Sequence, residues 1–150
     1  MKETVHHVLV KSYFTFFLSI IIGIVLEYWF PLNLFPKPMT TLGAALFVGG
    51  TLLIVWAQTT TRSGAGERHA NSAIDENHFA KGPYKYYRNP THMGLTMLVV
   101  GYGFILNALM IVLTVFITSL ISHFVFVKKE EAMLASKYPA YEEYKKKVRI

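Results

Sequence analysis

The chain has 150 residues, enough for one domain, with 53% hydrophobic and 16% charged residues, where a soluble domain carries about 25% charge. That balance excludes a disordered chain and argues against an ordinary soluble globule. The lack of cysteine excludes disulfides, thiolate zinc sites and cysteine nucleophiles, and a net charge of +6 in so apolar a chain suits anionic lipid better than nucleic acid.

Residues 12–30 are apolar apart from Glu27 and a few small polar side chains. A membrane crossing takes roughly 20 apolar residues, because about 30 Å of hydrocarbon is spanned at about 1.5 Å per residue. The run is too long for the core of a signal peptide, and Trp29-Phe30-Pro31 is no small-residue cleavage site, so a retained helix is expected. Glu27 lies one turn from its end, within reach of the interface. Residues 39–58 carry no charge and predict a second span, 39–59. The loop 60–90 gathers many of the polar residues. Its Gly64-Ala65-Gly66 follows no strand and reads as flexible loop, not as a dinucleotide fingerprint.

Residues 95–127 are free of charge for 33 residues, about 50 Å as one helix. That is too long for one crossing and predicts a hairpin turning near Asn107, with limbs 91–106 and 108–127. Gly101 and Gly103 would let the first limb pack closely. His123, beside Ser119 and Ser122, is placed for an interhelical hydrogen bond. The tail 128–150 extends the last helix and restarts at Pro139. Tyr138, Tyr141 and Tyr144 fall on one side of a short helix followed by Lys145, Lys146 and Lys147, the pattern of an interfacial helix with its aromatics toward the headgroups. The fold expected is an all-α integral membrane domain of about four transmembrane helices, the last two a hairpin, with a cytoplasmic loop and an interfacial C-terminal helix. Fourteen of the 15 basic residues then fall on one side and Lys37 alone on the other, which puts both termini in the cytoplasm.

Two stretches carry chemistry. Residues 82–94 read Gly82-Pro83-Tyr84-Lys85-Tyr86-Tyr87-Arg88-Asn89-Pro90-Thr91-His92-Met93-Gly94: a turn, an aromatic and basic run, then a helix start with Asn89 as N-cap and Pro90 in the first turn. Free N–H groups at such a helix start suit a carboxylate or phosphate. The second stretch, Lys128-Lys129-Glu130-Glu131-Ala132-Met133-Leu134, lies at the same depth on the same side, so its acid pair and the helix start could together hold an amino-acid zwitterion. No metal-binding, Walker or nucleophile-elbow motif is present.

These stretches, around a hydrophobic hairpin and before the Tyr138-Pro139-Ala140-Tyr141-Glu142-Glu143-Tyr144 ending, resemble the isoprenylcysteine carboxyl methyltransferases and the related phospholipid methyltransferases over roughly the second half of the chain. The resemblance implies an integral membrane methyltransferase that uses S-adenosylmethionine in a cytosol-facing pocket. It implies cofactor contacts from His78, Phe79, Ala80, Lys81, Tyr84, Asn89, Pro90, Thr91 and His92, and from Glu130 or Glu131. Arg88 and His92 are the candidates for work at the reacting centre, with His92 or Glu131 as base for an amine or phenol. His92 stands where the family usually has Tyr. Prenylcysteine enzymes carry an arginine about one turn before the glutamates, and this chain has none at residues 123–127, so the acceptor expected is a lipophilic or lipid-tailed molecule other than a prenylcysteine, reached from membrane lipid. An NAD(P)H-dependent membrane reductase of the sterol-reductase kind and a four-helix small-molecule transporter are the alternatives. The longer size usual for the reductase and the glutamate pair weigh against the first. The long polar loop and the end-of-span position of Glu27 weigh against the second. The sequence leaves the oligomeric state open.

Overall fold

A computed structural model of the chain describes residues 5–67 and 79–148. Among them the apolar runs are all helical, and the only extended pairing is one isolated bridge between Asn33 and Ala108. Helix α1 runs Val5–Trp29 and α2 runs Thr40–Glu67. A single 3-10 turn, Gly82–Lys85, precedes α3, Pro90–Leu106. Helix α4, Leu109–Ile121, passes through a π-helical segment, Ser122–Val127, into α5, Lys128–Lys137, and α6 is Ala140–Lys147.

Among the described residues, three helices are long and apolar enough to cross a membrane: Val10–Trp29, Thr40–Thr61 and the continuous rod Leu109–Lys137. Helix α3, with 17 residues, reaches about 25 Å and is the short limb that the sequence anticipated. The rod of 29 residues is about 43 Å long, more than the roughly 30 Å of hydrocarbon. Its turns beyond Lys128 therefore stand outside the apolar layer. Phe14, Phe17, Ile21, Leu52, Trp56, Phe116 and Phe124 are exposed on the outer faces, as lipid-facing residues are. The protein is integral to the membrane.

The helices pack antiparallel, and bare backbone sets the closest contact. A Cβ on Gly50 would stand 2.6 Å from the Gly94 carbonyl oxygen, and one on Gly101 would stand 2.6 Å from that of Gly43. Two glycine pairs, seven residues apart on each helix, thus clamp α2 to α3. Close approach of small residues is what holds helices together where lipid is as apolar as leucine. Phe16, Val99, Ile111 and Val115 fill the centre between α1, α3 and α4.

At the far end, Asn107 makes the hairpin. It adopts φ 55° at the C-terminus of α3, a conformation that asparagine tolerates better than most residues. Its amide pins the first loop: Nδ2 donates to the Phe35 carbonyl and Oδ1 accepts from the Phe35 N–H, both at 2.9 Å. Glu27 does stay at the interface, where its oxygens accept from Leu32 N–H at 3.1 Å and Met110 N–H at 3.0 Å. The second bond satisfies a free N–H in the first turn of α4, and the carboxylate complements that helix end.

Three expectations change. Helix α2 runs to Glu67 and includes Gly64-Ala65-Gly66, so the loop expected over 60–90 starts later. Thr59, Thr60 and Thr61 return their hydroxyls to the Val55, Trp56 and Ala57 carbonyls, and no proline stops the helix. Asn89 occupies the N-cap position of α3 without a side-chain capping bond. In α6, Tyr141 and Tyr144 are buried against Phe79, Ala80 and Leu134, so this face packs on the protein and does not turn to the headgroups.

The glycine clamp makes a direct prediction. Gly50→Val should lower stability in detergent by about 1–3 kcal/mol through overpacking. Gly49→Ala should be near neutral, since its Cβ would meet only the Met97 terminal methyl at 3.6 Å. Thermal unfolding of the two variants beside the parent checks this, and equal losses would refute the clamp.

Candidate functional site

The clamp and the hairpin bring the start of α3 against the end of the rod. Gly82, at φ +52°, lies against Thr60 of α2, where only glycine turns without strain. The turn that follows is tied from the other side, because the Tyr144 hydroxyl donates to the Tyr84 carbonyl at 2.7 Å. Tyr87, Arg88 and Asn89 then enter α3 over a cavity of about 700 Å³, within the roughly 300–1,000 Å³ of small-molecule sites.

The cavity has two ends. Arg88, Asn89 and Glu131 line it near the interface, and Leu46, Met97 and Val100 line it deeper in the bundle. Between them lie His92, Thr96, Ser119, Ser122 and His123. All of these except His123 take polar partners across helices, as groups at membrane depth must. Thr96 and Ser119 hydroxyls are 3.1 Å apart, and Ser12 of α1 reaches His92 Nε2 at 2.7 Å and the Ser122 hydroxyl at 3.5 Å. The interhelical polar contacts expected of His123 are made by its serine neighbours, while its ring stacks edge-on to Phe124.

The π segment decides which glutamate faces inward. Lys128 N–H bonds to the His123 carbonyl, five residues back, so the segment carries about one extra residue per turn. His123, Val127 and Glu131 consequently fall in line on the cavity wall. Arg88 Nη1 stands 3.3 Å from Glu131 Oε1, and Lys145 Nζ of α6 stands 3.7 Å from Oε2. Glu131 is thus held between a guanidinium and an ammonium.

Glu130 does not line the cavity and lies within electrostatic reach of Tyr13 of α1. It stands beyond the apolar layer yet is largely enclosed by protein. Burial first, and the Glu131 charge second, raise its pKa to about 7. Burial likewise raises the pKa values of Tyr141 and Tyr144, which keeps both phenols neutral.

Of the residues named from sequence, Arg88, Asn89, His92 and Glu131 meet on one cavity. Pro90 and Thr91 are buried in the first turn of α3 and do not line the cavity. Phe79 and Ala80 pack against the α6 tyrosines. Tyr84 sits in the turn, its hydroxyl 3.2 Å from that of Thr61. Lys81 precedes that turn, and His78 lies outside the described residues. Sequence reasoning missed Ser12, Phe16, Thr96 and Lys145. A small polar residue at the start of the apolar run was the one signal for Ser12.

The sequence profile of the phospholipid methyltransferase family matches residues 38–141. The chain belongs to that family. No curated protein and no solved structure matches it. Membership makes the chain a membrane methyltransferase by family, and the matched stretch runs from the start of α2 to Tyr141 of α6. It contains both halves of the Arg88–Glu131 pair and leaves α1 outside.

Glu130 gives a pH prediction. Unfolded, it titrates near the ordinary 4.5 of a glutamate, and folded near 7. In that window the folded protein holds the extra proton, so the contribution to stability is full below pH 4.5 and is lost as pH rises through about 7. Glu130→Gln should flatten this slope, by on the order of 1–3 kcal/mol at pH 8. Melting temperatures of parent and variant in detergent across pH 4–8 measure it, and parallel curves would refute the raised value.

Proposed function

We propose that this protein is an S-adenosylmethionine-dependent methyltransferase acting on a lipid-tailed acceptor at the membrane–cytoplasm boundary. The observation that carries the reading is the cavity with a charged end, formed by Arg88, Asn89 and Glu131, and an apolar end, formed by Leu46, Met97 and Val100. The donor set fits the cofactor. Glu131 offers an anion for the ammonium, Arg88 a cation for the carboxylate, and the start of α3 unpaired N–H groups. The zwitterion would meet the two charges already side by side.

Bound there, S-adenosylmethionine would supply an electrophilic methyl: the acceptor's lone pair bonds to the methyl carbon as the C–S bond breaks and its electrons return to sulfur. The chain's own residues bind and align the partners and keep bulk water away. The apolar end suits an acyl or isoprenoid tail entering from lipid. The middle of the cavity offers hydroxyls and imidazoles and no cation among the described residues. That favours an amine or hydroxyl acceptor over a free carboxylate such as a prenylcysteine, with His92 as the base for the acceptor's proton. The distribution of basic residues supports both termini, and this site, on the cytoplasmic side.

Titration of purified protein with S-adenosylmethionine, and with NADPH as control, tests the reading. Glu131→Gln removes one partner of a desolvated charge pair, worth about 2–5 kcal/mol, so the Kd should rise about 30-fold or more. Glu130→Gln should change it far less. NADPH binding in place of S-adenosylmethionine, or a change below about threefold in Glu131→Gln, would overturn it. For orientation, a single cysteine at Asn33 should be labelled from outside sealed cells and one at Ser136 should not. Outside labelling at position 136 would reverse the topology.

A further inference from the structure

Helix α1 lies outside the stretch that matches the family, yet it closes the cavity. Phe16 lines the wall and meets the His92 ring edge-on, with centroids 6.3 Å apart. Ser12, one turn earlier, has no exposed surface, and its hydroxyl is 2.7 Å from His92 Nε2. A serine hydroxyl fully enclosed at membrane depth needs partners, and this one has two: the imidazole and the Ser122 hydroxyl at 3.5 Å.

We propose that Ser12 is a positioning residue for His92: it accepts the Nε2 proton, passes its own hydroxyl proton toward Ser122, and so leaves Nδ1 as the unprotonated nitrogen of the ring. The directions follow from what each group has to offer. An imidazole that donates at one nitrogen must accept at the other. Ser12 can turn its own proton to the Ser122 hydroxyl at 3.5 Å, so the ring can donate to Ser12 while Nδ1 stays free to accept. Phe16 on the ring edge and the backbone of α3 restrict the remaining rotation.

The inference rests on the methyl-transfer reading for its use. There, the acceptor's X–H bond breaks as X bonds to the methyl carbon supplied by the sulfonium donor. The X–H electrons stay on X, and the proton moves to Nδ1, leaving an imidazolium. The titratable and charged groups that share the cavity with that cation are His123 on the π segment, Arg88 before α3, and Glu131 on α5. Ser12 does not touch the acceptor. It sets which nitrogen is basic and where that nitrogen points.

The test uses the full chain in detergent, labelled with 15N-histidine at pH 8, with His92→Gln assigning the His92 ring signals. The parent should show the Nε2–H tautomer. Ser12→Ala, which keeps the volume and suits a helix, should shift the ring to a mixture of tautomers. In methyl transfer to vesicles of phosphatidylethanolamine it should lower kcat about 10- to 100-fold, part of the 10²–10⁴ that a positioned base supplies. S-adenosylmethionine affinity should stay within about twofold. Ser12→Thr should restore the ring signature. An Nδ1–H tautomer in the parent, or ring signals unchanged in Ser12→Ala, would overturn the proposal. The ring signals need no cofactor, so they decide the Ser12 contact even where the titrations above have refuted methyl transfer.

Discussion

Inside a bilayer there is no water to satisfy a polar group, so each must find its partner within the protein. That constraint organises this small bundle. At one end Glu27 and Asn107 satisfy the backbone of a loop and of a helix start. In the middle Ser12, His92, Thr96, Ser119 and Ser122 bond across three helices. At the other end Arg88 and Glu131 neutralise each other at the edge of the apolar layer. Between these levels the contacts are apolar or glycine-to-glycine. The polar groups therefore mark three depths, and the cavity connects the second to the third.

The constraint also explains why so short a helix as α3 is held in place. It is clamped to α2 through backbone contacts at Gly43–Gly101 and Gly50–Gly94, joined to α4 by the Asn107 turn, and tied to α1 through His92. Its first turn, where N–H groups are unpaired, is consequently fixed beside the charged end of the rod. Helix α6 adds a second fastening, as its buried tyrosines grip Phe79 and the Tyr84 carbonyl, and Lys145 comes to within 3.7 Å of Glu131.

Much of this was legible in the sequence, since charge-free runs of defined length leave few alternatives to spanning helices. The turn at Asn107 followed from a run too long for one crossing. The meeting of Arg88 with the glutamate pair followed from two motifs at equal depth. What escaped has physical reasons. The π segment leaves no mark on hydrophobic periodicity, because Ser122–Val127 is apolar on nearly every side, so the choice of Glu131 over Glu130 was not readable. Ser12 is one small polar residue among many apolar ones, and its partner lies 80 positions away. The tyrosines of α6 have the spacing of a membrane-facing stripe. Only the presence of Phe79 and Leu134 opposite them shows that the stripe is core.

The two adjacent glutamates end in different electrostatic settings, and the difference bears on what the cavity can hold. Glu131 is ionic between Arg88 and Lys145. Glu130, its pKa raised to about 7 by burial, is about half protonated at neutral pH. Two neighbouring carboxylates need not both carry charge, and their protons belong to the pair. The interfacial end of the site therefore sets two cations, Arg88 and Lys145, against the one carboxylate that lines the cavity. A surplus of positive potential there suits a carboxylate. Under the methyl-transfer reading, the ammonium of the cofactor has one ionised acid to meet in the cavity, Glu131, which is also the partner of Arg88. Binding would then exchange an internal ion pair for two external ones within the same enclosure, with Arg88 turning to the carboxylate as Glu131 turns to the ammonium. That exchange would keep Arg88 and Glu131 each opposite a charge, which is what a site at the edge of hydrocarbon requires.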